Sequence, residues 1–170
     1  VPDRLYWGNG DGTFSVDAGA LVGVTSQPSN GSVVCDYDND GDMDIFVATY
    51  GVSVGHGHNQ LWQNDGGTFT NVAAAAGVAA QGTGNYFIAQ TGYGEEQEPD
   101  VDEADWVGSN AFGIDCGDVN NDGDMDFWMT AISHPVAMDY NRKWSDPSQL
   151  LLNQGDGTFV NGFLRAEIPF

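Results

Sequence analysis

The sequence predicts an all-β fold built from four-stranded antiparallel repeats, the strand content of propeller blades. Three observations predict it. A nine-residue acidic loop is written twice, as Asp36-Tyr37-Asp38-Asn39-Asp40-Gly41-Asp42-Met43-Asp44 and Asp118-Val119-Asn120-Asn121-Asp122-Gly123-Asp124-Met125-Asp126. A Gly-rich turn ending in Thr-Phe occurs three times. Short runs rich in β-branched and aromatic residues lie between these marks, which is the composition of strands.

The turns come first in chain order. Arg4-Leu5-Tyr6-Trp7-Gly8-Asn9-Gly10-Asp11-Gly12-Thr13-Phe14 is echoed by Gln60-Leu61-Trp62-Gln63-Asn64-Asp65-Gly66-Gly67-Thr68-Phe69 and by Gln149-Leu150-Leu151-Leu152-Asn153-Gln154-Gly155-Asp156-Gly157-Thr158-Phe159. Apolar residues around an Asn/Gly/Asp turn predict a β-hairpin, because such turns need positive φ at their centre. Two hairpins are followed by similar tails, Ala20-Leu21-Val22-Gly23-Val24 and Ala75-Ala76-Gly77-Val78. Asn71 to Ala76 is expected to form one helical turn, capped by Asn71 and stopped by Gly77.

Each acidic loop sits between two strand readings. Ser32-Val33-Val34-Cys35 and Ala111-Phe112-Gly113-Ile114 precede the loops; Ile45-Phe46-Val47-Ala48-Thr49 and Phe127-Trp128-Met129-Thr130-Ala131 follow them. One unit is therefore strand, acidic loop, strand, excursion, hairpin. The Thr-Phe marks are 55 and then 90 residues apart, because the second unit carries an insertion. The expected division is a hairpin at 1–24 completing a preceding blade, a repeat at 25–78 with the first loop, and a repeat at 79–170. That last repeat would hold an acidic insertion (79–110), the second loop and the closing hairpin. The total is roughly two and a half to three blades, too few to close a ring.

The acidic loops have the layout of a cage for a hard divalent cation. Oxygen-bearing side chains at positions 1, 3, 5 and 9 can converge on one point, with Gly at 6 permitting the sharp turn. The first half matches an EF-hand, but an EF-hand needs Glu at position 12 and helices on both sides. Position 12 is Val47 in one loop and Met129 in the other, and strand-forming residues follow. The carboxylate falls at position 9 instead, on Asp44 and Asp126, with backbone carbonyls at position 7, Asp42 and Asp124. Two Ca²⁺ sites are expected, and a helix-opening sensor is excluded.

The charge balance fits this reading. Twenty-five acids face four basic residues for a net charge of −21, and nine of the acids lie in the two loops. Nucleic acid and anionic membranes need a basic face, so neither is an expected partner. No apolar run is long enough to insert in a bilayer. Val1 leads almost directly into a strand-like segment, so the chain reads as a processed product or an excised piece.

Other residues carry weaker signals. Cys35 and Cys116 each stand just upstream of a loop, and either one disulfide or two free buried thiols fits the count. Asn30-Gly31-Ser32 is an N-glycosylation sequon. His56-Gly57-His58 has two metal-competent imidazoles, but a Gly-rich connection is the preferred reading. His134 has no obvious nucleophile beside it. Gly94 to Asp105 holds seven acids and no base, and reads as a solvated surface loop, with an extra cation or partner site as the rival. Trp7 and Trp62 occupy equivalent hairpin positions and are expected in the core.

With these motifs in place, the chain resembles the FG-GAP/VCBS repeats of integrin-α-type β-propellers. The Ala-Gly-Val tail, Ser133-His134-Pro135 and Ser145-Asp146-Pro147-Ser148-Gln149-Leu150 are similar to the cartilage acidic protein branch. The resemblance implies an extracellular, secreted or cell-surface protein. It implies that Asp36, Asp38, Asp40 and Asp44 hold one Ca²⁺, and Asp118, Asn120, Asp122 and Asp126 a second, each pinning the loop between two strands.

The expected function is adhesion, binding or structural assembly. The opening hairpin lacks a cation loop of its own, so other propeller blades or further copies of this chain are the expected partners, with a protein or glycan ligand beyond them. A piece of a longer chain is preferred over head-to-tail strand complementation between copies. No catalytic motif is present, and the alternative is a piece of a carbohydrate-active, lyase-type propeller enzyme.

Overall fold

A computed structural model describes residues 2–50, 58–79, 111–131 and 148–162. Residues 80–110 of the acidic insertion, His56, Ser133 to Pro135, Ser145 to Pro147 and the segment Ile168 to Phe170 lie outside the described residues. About half of the described residues lie in strands and Ala73–Ala76 is the one helix among them, as expected of an all-β chain. Its elements are β1 (Leu5–Gly8), β2 (Phe14–Asp17), β3 (Leu21–Val22), β4 (Ser29–Cys35), β5 (Asp44–Thr49), β6 (Gln60–Asp65), β7 (Thr68–Asn71), α1 (Ala73–Ala76), β8 (Ala111–Gly117), β9 (Asp126–Ala131), β10 (Gln149–Asn153) and β11 (Phe159–Asn161).

Two blade-like sheets emerge, each built on an up-and-down antiparallel meander of four strands. The first has the order β3-β7-β6-β5-β4 and the second β11-β10-β9-β8, while β1 and β2 form a two-stranded sheet. All three expected hairpins form. Asp65 pairs with Thr68 across the Gly66-Gly67 turn, where both glycines have positive φ (60° and 96°) that a Cβ would disfavour.

One pairing has no local sequence signal. The tail of the opening segment, β3, lies parallel against β7, with Leu21 opposite Phe69 and the Phe69 N–H donating to the Ala20 carbonyl at 2.8 Å. The first sheet is thereby five-stranded, where the repeat alone predicts four.

Strand burial follows position in the sheet. Strand β5 is central and covered on both faces, so Phe46, Val47, Ala48 and Thr49 are all buried. Strand β4 is at an edge and alternates, with Val34 exposed and Cys35 buried. The main core lies between the two sheets. Phe46, Leu61 and Tyr37 meet Phe127, Met129, Leu151 and Phe159 there, and the Phe46 and Phe127 rings stand 4.8 Å apart. A smaller cluster of Ala20, Val47, Trp62 and Phe69 covers the other face of the first sheet.

Two details differ from expectation. Trp62 is in the core at 1% exposure, but Trp7 is 44% exposed, its indole Nε1 donating to Asp17 Oδ2 at 3.1 Å. The hairpin positions are equivalent, yet β6 has β5 and β7 on its two sides, and Trp62 packs with Ala20, Val47 and Phe69. Strands β1 and β2 pair only with each other. Exposed Tyr6, Phe14 and Val16 share that hairpin. The helix cap also moves by one residue. Val72 occupies the N-cap position without a side-chain bond, and Asn71 Oδ1 accepts the Ala73 N–H at 3.1 Å from one residue further back. Gly77 stops the helix in the left-handed region, φ 78°, as expected.

Candidate metal centre

Each acidic loop links the first two antiparallel strands of a sheet, β4 to β5 and β8 to β9. The two loops share their backbone turn and the bonds of positions 1 and 9. Asp36 Oδ1 accepts the Asp40 N–H at 3.1 Å and its Oδ2 the Gly41 N–H at 3.1 Å. Asp118 does the same with Asp122 (3.1 Å) and Gly123 (3.0 Å). Asn39 and Asn121 carry φ of 59° and 60°, and Gly41 and Gly123 follow at 94° and 97°. A left-handed residue at position 4, tolerated by Asn, turns the loop ahead of its glycine.

In the first loop one ligand atom each of Asp36, Asp38 and Asp40 lies within 4.8 Å of the others. Such a cluster is costly for three carboxylates alone, since like charges at this range repel. Asp38 sharpens the point. Its Oδ2 accepts Gln63 Nε2 at 2.6 Å, while its Oδ1 is buried with no hydrogen-bond partner. An unpartnered buried acceptor between two other carboxylates fits a hard cation.

The position-9 aspartates do something the loop spacing did not announce. Asp44 Oδ2 accepts the Tyr37 N–H at 3.0 Å, and Oδ1 accepts the Asn64 N–H at 2.8 Å. Asp126 repeats this with Val119 (3.0 Å) and Asn153 (2.9 Å). Each is 1% exposed and ties its own loop to the hairpin of the same sheet. The hairpin asparagines complete the tie: Asn64 Nδ2 donates to the Met43 carbonyl and Asn153 Nδ2 to the Met125 carbonyl, both at 3.1 Å. Sequence reasoning passed over Asn64 and Asn153 as turn residues. The signal was their recurrence at the same place in two hairpins.

Position 7 also serves as a staple. Asp42 Oδ2 accepts the Gly66 N–H at 2.9 Å, and Asp124 Oδ1 accepts Asn39 Nδ2 at 2.8 Å, joining the two loops across the sheets. Asp38, Asn39 and Asp124 line a cavity of about 630 Å³ between the sheets. The second loop is the poorer cluster. Asn120 stands where the first loop has Asp38, donating from Nδ2 to Asp122 Oδ2 at 2.7 Å.

Burial, opposed by the two backbone N–H donors and reinforced by Asp38 and Asp40, pushes the Asp44 carboxyl up from 3.8 to about 6. The ion-free fold then binds this proton more tightly than the unfolded chain does. Its stability rises as pH falls from about 6 towards 4, and the gain is absent above pH 6. Chelator-treated protein is expected to melt higher at about pH 5 than at about pH 7, and Asp44→Asn to shrink that difference. Equal differences in both proteins would assign the effect to other acids.

Of the remaining expected residues, Asn30 is exposed on β4, its Nδ2 donating to the Ala111 carbonyl of the second sheet at 3.1 Å. No disulfide joins Cys35 and Cys116, which stand as free thiols, the first buried and the second half-buried. Burial pushes the Cys35 thiol up, and the neighbouring Cys116 adds to it. His58 is described and half-buried; His56 and His134 lie outside the described residues.

Strand, acidic loop, strand and hairpin, repeated with matching hydrogen bonds, define an all-β repeat protein with loops between paired strands. Residues 2–47 match the family model of the FG-GAP-like repeat, from the opening hairpin through the first loop into β5, so the chain carries an FG-GAP-type repeat. No curated protein matches the chain.

Proposed function

We propose that this chain is a calcium-stabilised β-propeller segment serving extracellular adhesion, binding or assembly, and that it is not an enzyme. The observation that carries the calcium reading is the buried, unpartnered Asp38 Oδ1 among Asp36, Asp38 and Asp40. Ca²⁺ would be held there by these carboxylates and the Asp42 carbonyl, with Asp44 at position 9. Asp118, Asn120, Asp122 and Asp126 would hold a second ion with one charge fewer. The role is mechanical: the ion neutralises the repulsion and fixes the loop between paired strands. The FG-GAP-like match supports an adhesion or binding module. Among the described residues no helix is long and apolar enough to cross a membrane. Extracellular modules bind Ca²⁺ at roughly 0.1–1 mM, which suits exposed loops of this kind.

The partner surface is the opening hairpin. Phe14 at 71%, Val16 at 53% and Tyr6 at 51% exposure form an apolar face of the kind that blades bury against each other. Another blade, from a longer chain or a second copy, is its occupant.

Titration calorimetry tests the calcium reading. Two binding events are expected, the tighter at the first loop because of its extra carboxylate. Asp38→Ala should remove that event and leave the weaker one. Absence of binding heat, with no preference for Ca²⁺ over Mg²⁺, would overturn it.

A further inference from the structure

Strands β4 and β8 belong to different sheets but run side by side where the sheets meet. Asn30 Nδ2 bonds the Ala111 carbonyl, and a Cβ on Gly31 would lie 2.4 Å from the Phe112 carbonyl oxygen. Only glycine permits so close an approach. Asn30 and Ala111 are 81 residues apart in sequence, and Gly31 and Phe112 share that offset. The two strands therefore run side by side, and at their far ends Cys35 and Cys116 stand as neighbours, their side chains close enough to interact. Packing agrees with this placement. Cys35 belongs to the core between the sheets, and Cys116 packs against that core from the second sheet.

We propose that Cys35 and Cys116 are an oxidisable pair whose disulfide locks the adjoining strands of the two sheets together. Disulfides span Cα separations of about 4.4–6.8 Å, so the bond needs the strands to lie about as close at the cysteines as they do where Gly31 meets the Phe112 carbonyl. The oxidant is a small-molecule disulfide such as oxidised glutathione. Cys116, the more exposed thiol, gives up its proton and attacks one oxidant sulfur, releasing the first glutathione thiol. Cys35 then gives up its proton and attacks Cys116 Sγ, releasing the second. Two cysteine thiols become one disulfide, the oxidant's disulfide becomes two thiols, and the two protons leave with them. The bond closes a span of 81 residues, long enough to constrain the unfolded chain strongly. Nothing in this depends on an ion in either loop.

The test uses the full native chain, incubated with oxidised glutathione, alkylated, and mapped by non-reducing peptide mass spectrometry. The expected result is a linked peptide containing Cys35 and Cys116, no alkylatable thiol, and a melting temperature raised by roughly 5–15 °C and restored by reductant. Cys116→Ser should abolish both the link and the rise; the wild-type peptide map decides the matter if that variant does not fold. Glutathione retained on Cys116, both thiols alkylated, a link formed only after denaturation, or a link with no change in melting would each overturn the proposal.

Discussion

Stripping calcium from the native chain with a chelator is expected to lower its stability by about 5 kcal/mol. A site with a Kd of about 0.1 mM, held in about 10 mM Ca²⁺, is about 100-fold above its Kd and contributes about 2.7 kcal/mol through linkage, and the proposal assigns two sites. For a chain of this size the melting temperature should fall by roughly 10–20 °C. The physical source is the carboxylate cluster. Without an ion, Asp36, Asp38 and Asp40 hold ligand oxygens within 4.8 Å of one another, and Asp38 Oδ1 keeps no partner. Scanning calorimetry with chelator, then with excess Ca²⁺ or Mg²⁺, measures this. Recovery with Ca²⁺ is expected; an unchanged melting temperature on chelation would remove the structural role.

Phe127→Ala is expected to cost about 3–5 kcal/mol. The ring is 1% exposed and sits at the centre of the inter-sheet aromatic cluster, 4.8 Å from Phe46 and 5.1 Å from Phe159. Its removal leaves a cavity lined by both sheets, with little room for either to collapse into it. Phe14→Ala supplies the contrast: that ring is 71% exposed, and its loss from a chain without a bound partner should stay within about 0.5 kcal/mol. Urea unfolding midpoints of the two variants separate them. Comparable losses would mean that the core does not lie between the sheets.

Much of this fold was legible because it is local. The turn chemistry of Gly66-Gly67 acts within a few residues and formed as the sequence predicts. The loop spacing of Asp36 to Asp44 is matched in its first three carboxylates, Asp44 turning to backbone N–H groups instead. The parallel pairing of β3 on β7 was not legible, since Leu21 and Phe69 meet only through tertiary packing. Trp7 and Trp62 make the same point from the other side. Their local sequences match, but Trp62 is packed among Ala20, Val47 and Phe69 while Trp7 stays 44% exposed, and burial is decided by neighbours far along the chain. At the candidate site, the spacing pointed to Asp36, Asp38 and Asp40, which the structure brings together. It did not show that Asp44 and Asp126 anchor hairpins, because their partners Asn64 and Asn153 lie 20 and 27 residues away.

Strand β3 has a consequence for how such an array comes apart. Its residues precede the first acidic loop in the chain, yet they supply the outermost strand of the sheet that follows, so covalent and cooperative boundaries are staggered. A cut at about residue 25 would strip the Ala20 carbonyl from the Phe69 N–H and bare an edge. The opening segment and the first sheet, joined this way, cannot melt one at a time without breaking each other's hydrogen bonds. These two should therefore lose their structure in a single step, and the first sheet excised at the repeat boundary should be less stable than the same residues in place.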